Sequence, residues 1–172
     1  MALKKGIDIV LLYRLLEKQS EEDAKIVTYQ TEHTLGMSRN TDATETKDGS
    51  VQSVGGIEYD FSSTALYDRK SDTIKMLYDA FMGNKEVEVW AIDKLDPQEG
   101  STGKFGAKYM QVFISNYEES AAAEDNVEVS IEYAVQMQHQ DGYATLTADQ
   151  QKAVQYAFED TLKKTVETGE GE

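Results

Sequence analysis

The sequence contains no cysteine, a single proline and two histidines in 172 residues. Without a thiol there is no disulfide framework and no Cys-based zinc site. No stretch approaches the roughly 20 apolar residues needed to cross a bilayer as a helix. The longest apolar cluster, Ile9 to Leu16, is broken by Arg14 and lacks a small-residue cleavage pattern, so it does not read as a signal peptide. Basic residues are also scarce: 17 Lys and Arg stand against 32 Asp and Glu, a formal charge of −15. That balance argues against a basic surface for DNA or anionic lipid. The expectation is a soluble intracellular product with an acidic surface. Aromatic content and alternating apolar runs exclude wholesale disorder, and the length suits one domain with a full core.

The periodicities are mostly those of strands. In Gly6 to Leu16 both parities are apolar, as in a strand buried on two sides, with Ile7, Ile9, Leu11, Tyr13 and Leu15 sharing a face. Gln19 to Ala24 reads as a polar connection, and Lys25 to Leu35 as one half-wet strand. Ile57 to Tyr67, Lys85 to Leu95, Phe105 to Tyr117 and Asn126 to Gln138 alternate likewise. Asp96 to Gly106, with the only proline, reads as a loop, Glu118 to Asp125 as an acidic connection and Asp141-Gly142 as a turn. Two segments have helical period. Ser71 can cap a helix carrying Ile74, Leu77, Tyr78 and Phe81, stopped by Gly83-Asn84. Thr147-Ala148-Asp149-Gln150 is a capping box before Val154, Ala157, Phe158, Thr161 and Leu162. Residues 38–54 carry almost no large apolar side chain and read as a long polar loop. The expected fold is mainly β: a β-sandwich or partly closed barrel with one central packed helix and a C-terminal helix. Residues 1–166 are expected to form a single domain, and 167–172 a frayed tail.

Reactive constellations are missing from this pattern. Gly100-Ser101-Thr102-Gly103-Lys104 resembles part of a phosphate loop, but Gln98 stands where the first Gly is required and Phe105 where the metal-binding hydroxyl belongs. His33 and His139 have no ligand spacing between them. There is no G-x-S-x-G elbow. The paired acids Glu21-Glu22, Glu118-Glu119 and Glu124-Asp125 lie in polar connections, where nothing apolar would split their pKa values. Trp90 could stack on a ligand, with Tyr109, or anchor a core; the core is the simpler role. Tyr13, Tyr29, Tyr59, Tyr67, Tyr109, Tyr117 and Tyr133 fall in expected strands, where tyrosine is favoured. No catalytic, cofactor-binding or metal-binding residue is assigned, and no cofactor is expected.

The order of elements carries a resemblance. Gly6-x-Asp8 before an apolar run, the Thr-rich segment Thr41 to Gly49, Gly55-Gly56 leading into Glu58-Tyr59, the helix near Ile74 to Phe81, and Val87-x-Val89-Trp90 follow one another. Gly142 to Phe158 closes the series, with Leu146-Thr147 before a helix and Tyr156-Ala157-Phe158 within it. Together they resemble the major tail proteins of long, non-contractile-tailed phages of Gram-positive bacteria. The resemblance implies a tail-tube subunit: six copies in a ring, and rings stacked into a conduit for genome DNA. It also implies a loop reaching a neighbouring ring, here Ser38 to Val54. Implied partners are further copies of the chain and the tape-measure, tail-tip and tail-terminator proteins. DNA would pass without specific binding, and no membrane is involved. The implied location is the virion tail, with assembly in the host cytoplasm. A 172-residue domain is about 40 Å across, so a six-membered ring leaves a hole of up to about 40 Å, wide enough for a duplex. Two other readings are a monomeric carbohydrate-binding or adhesin-like β-sandwich and a tube protein of a contractile injection system.

Overall fold

The computed structural model describes residues 2–154. The expected frayed tail 167–172, and the helical face from Ala157 to Leu162, lie outside the described residues. Among the described residues seven strands form a single antiparallel sheet. They are β1 (Ile9–Leu15), β2 (Lys25–Ile26), β3 (Gln30–Thr46), β4 (Gly49–Leu66), β5 (Val87–Pro97), β6 (Lys104–Ser120) and β7 (Glu128–Thr145). Helix α1 (Asp72–Met82) connects β4 to β5, and α2 (Ala148–Val154) follows β7. The strand order is β2-β1-β5-β6-β7-β4-β3.

The sheet curls without closing. β1 and β4 stand four places apart in the order, yet Tyr13 on β1 meets Ser63 on β4 at 3.3 Å and receives a hydrogen bond from the Tyr133 hydroxyl of β7 at 3.0 Å. At the seam the edges are joined by a side chain. Gln30 of β3 accepts from Leu11 N (2.9 Å) and donates to Leu11 O (2.8 Å) and Val27 O (3.0 Å). One amide thus stands in for a strand partner on the side of β1 where β2 pairs only with Leu12 and Tyr13. The mainly β architecture is as expected, in the form of one open, curled sheet.

The two-sided burial expected of the first strand holds. Leu11 and Tyr13 join the main core with Val87, Val89, Val112, Val129, Ile131 and Tyr133. Val10 and Leu12 point the other way, into a smaller cluster with Ile92 and Leu146. Ile7 departs from the expectation: it lies in a 3-10 turn before β1 and faces solvent.

α1 covers the main core. Ser71 Oγ accepts from Ile74 N at 3.2 Å, the expected cap. Its buried residues are Thr73, Ile74, Leu77 and Ala80, so the buried face is rotated from the expected one. Tyr78 and Phe81 lie at its margin, against Tyr117 of β6. The Thr147–Gln150 capping box forms reciprocally, at 3.1 and 3.2 Å.

Candidate functional site

The largest difference from the sequence expectation is at residues 38–54. The segment expected as a loop is the distal part of the β3–β4 hairpin, paired from Gln30↔Ala65 out to Thr46↔Gly49. Every residue from Ser38 to Gly56 is exposed. Apolar content was the wrong guide, because these strands pair with each other and face water on both sides. The chain reverses at Lys47-Asp48, and Gly49 takes φ +132°. Thr46 Oγ1 donates to Gly49 O at 2.6 Å and closes the turn. A bulge sets Gly55 and Gly56 against Asn40, and a Cβ on Gly55 would come within 3.3 Å of Asn40 O.

β4 pairs with β7 only from Phe61 to Leu66. Beyond Phe61 the two strands part, which leaves edges on β4 from Gly49 to Asp60 and on β7 from Ala134 to Thr145 without a strand partner among the described residues. Tyr59 spans the fork. Its hydroxyl accepts from His139 N at 3.0 Å and lies 2.8 Å from His139 Nδ1. Two residues before His139, Met137 adopts φ +52° in a bulge and is 93% exposed. The Val127-to-Met137 alternation is correct as far as Val135, and the bulge turns Met137 outward.

Lys25 to Leu35 is two strands rather than one, broken where Tyr29 takes φ +57°. Tyr29 is therefore in a turn, and Tyr67 lies just past β4. Asp141-Gly142 is not a turn: both residues pair within the sheet, opposite Lys108 and Ala107. The Asp96–Gly106 loop shrinks to residues 98–103, with Gly100 and Gly103 both at φ +76°. Lys104 then opens a strand, not the helix a phosphate loop requires. His33 and His139 do not come together: His33 faces the cleft beside β1, where burial lowers its pKa. Among the described residues no three His, Asp or Glu converge on a metal position.

Trp90 and Tyr109 do meet, at 5.2 Å, with the Arg14 guanidinium 5.0 Å from the indole centroid. They pack on each other, and Trp90 also on the smaller cluster, instead of presenting a flat platform. Beside them Glu88 is buried, and accepts from Arg14 Nε (2.7 Å) and from the Tyr109 hydroxyl (2.7 Å). The alternation sets Glu88 with Trp90 and Ile92 on one face of the strand but gives no sign of its partners. Its partners are 74 and 21 residues away, so no local pattern could have revealed the pair.

The geometry is that of a β module built for association: a protruding hairpin and a forked sheet with unpaired backbone donors and acceptors. Comparison with known proteins agrees. A family model described as phage tail tube protein matches residues 3–141. A putative tail protein of Staphylococcus phage phiMR25 is 34% identical over 98% of this chain and 88% of its own. Among solved structures, the tail tube of SPP1, a Bacillus phage, superposes with TM-score 0.76 at 19% identity over 96% of each chain. The tail of an empty gene transfer agent particle, determined with C6 symmetry, gives 0.63 at 12% identity, covering 80% of this chain and 98% of that one. The chain belongs to the phage tail tube protein family. Its function is that of a structural subunit of the tail tube.

Proposed function

We propose that six copies of this chain close into a ring, that rings stack into a hollow tube, and that genome DNA leaves the capsid through it. The observation that carries this reading is the family match over residues 3–141, on a fold that superposes on the SPP1 tail tube subunit along nearly its whole length. The C6 symmetry of the gene transfer agent tail supports the number six. Closing a ring needs two different patches on each subunit, and stacking needs another pair, which the unpaired β4, β7 and β3 edges and the hairpin can supply. A ring of six carries six times −15, or −90 charges. Acid facing the bore would repel a duplex that bears about one negative charge per 1.7 Å and keep it from sticking.

In this reading residues 1–166 act as one structural domain without catalysis. Its partners are further copies of the chain and the tape-measure, tail-tip and tail-terminator proteins. Its final place is the virion tail, after assembly in the host cytoplasm. The test is a concentration series of the full chain, followed by light scattering and negative-stain microscopy. Six-fold rings and tubes of uniform bore are expected. A sample that stays monomeric at every concentration, even beside a preformed tail tip, overturns the reading.

A further inference from the structure

Two exposed surfaces of opposite character lie at opposite poles of the subunit. The first is the segment before β1. Leu3 and Ile7 are 77% and 76% exposed, and Lys4 and Lys5 stand between them. Residues 2–7 hold two cations and no acid in a chain of net −15. Lys4 reaches Asp93 at 3.0 Å, yet its side chain keeps 65% of its surface in solvent.

The second surface is aromatic. Tyr78 and Phe81 of α1 pack against Tyr117 of β6, edge-on at 5.4 Å and stacked at 6.3 Å. Met82 beside them is 66% exposed. The Tyr117 hydroxyl donates to Glu119 Oε1 at 2.9 Å. From Glu118 the chain runs through Glu119, Glu124 and Asp125 to Glu128 without a single base.

The sheet register places these surfaces apart. β1 runs from Ile9, opposite Asp93, to Leu15, opposite Val87, and seven strand residues span about 20 Å. The Lys4–Lys5 segment lies beyond the Ile9 end. α1 ends just before Val87, and Val87 pairs with Val112, so Tyr117 lies farther still from Ile9. Complementary patches at opposite poles make a head-to-tail contact that repeats without closing, the symmetry that stacking requires.

We infer that residues 3–7 of one subunit dock on the Tyr78–Phe81–Tyr117 patch of the next subunit along the tube. Leu3 and Ile7 cover the rings and Met82, while the lysines meet Glu119 and the acids beyond it, with an ammonium favourably placed over an aromatic face. The hairpin tip is the weaker occupant. Arg39 and Lys47 are outnumbered there by Asp42, Glu45 and Asp48, so the acids of the patch would repel it. This inference rests on the stacked-tube reading.

The absence of cysteine makes a clean test possible. Leu3→Cys and Met82→Cys chains are prepared separately, mixed, assembled and oxidised. A dimer containing one chain of each kind is expected, with none from either variant alone. Tubes that form from the mixture without this dimer overturn the contact and leave the tube reading standing. If neither the variants nor the unaltered chain form tubes, the tube reading fails and takes the contact with it. In parallel, Lys5→Glu should raise the concentration needed for growth roughly tenfold, and Glu119→Lys in the same chain should restore it. No change from the first substitution, or no rescue by the second, also overturns the contact.

Discussion

Single side chains do the work that strand pairing leaves undone in this sheet. Gln30 satisfies both backbone groups of Leu11 on the side of β1 where β2 does not reach it. Gln30→Ala strands those groups beside the core and should cost about 2 kcal/mol, read as a lower urea midpoint with unchanged m. Tyr13 and Tyr133 illustrate a second effect. Their rings stack in the core, and burial raises both phenol pKa values above the ordinary 10. Each therefore stays protonated in the folded chain at a pH where it would ionise in the unfolded one. The stability they support is complete below pH 10 and falls as pH rises beyond it, by about 1.4 kcal/mol per pH unit for each tyrosine. Urea titrations at rising alkaline pH should show this slope, and Tyr13→Phe with Tyr133→Phe should flatten it. A slope unaffected by the double substitution would assign alkaline unfolding to other groups. These roles were invisible in the sequence, where Gln30 and Tyr13 were ordinary members of alternating runs. Their partners come from strands 19 and 120 residues away.

At the level of elements the local signals were dependable where side chains are buried, on one face or on two, and misleading where burial was absent. α1 and the start of α2 were legible because caps are local: Ser71 and Thr147 each satisfy an amide three residues ahead. The outer half of the β3–β4 hairpin was missed because strand signals rest on apolar alternation, and a two-stranded ribbon wet on both faces has none. Such a ribbon is marginal by itself, so its outer half adds little to the stability of the body. Replacing residues 42–53 by Asn-Gly, which can turn directly between Thr41 and Val54, should leave the melting temperature of the body within a few degrees while abolishing tube growth. Tubes of normal length from the shortened chain would remove the hairpin from assembly. A large drop in melting temperature would show instead that the ribbon supports the core.

The whole molecule answers why so polar a chain holds together. Two apolar clusters on opposite faces of β1 and β5 anchor the curl, and the remaining length of β3, β4, β6 and β7 extends beyond them into solvent. What the amino-acid sequence determined by itself was what depends on neighbours in the chain: mainly β composition, the two helix starts, the two-sided first strand, and an element order resembling tail proteins. Tertiary structure alone decided the strand order, the fork between β4 and β7, the Glu88–Arg14 pair, and the placing of the basic segment and the aromatic patch at opposite poles. The physical reason is range. Caps, turns and alternation act within a few residues, whereas pairing and charge burial are settled between segments that meet only after the sheet has curled.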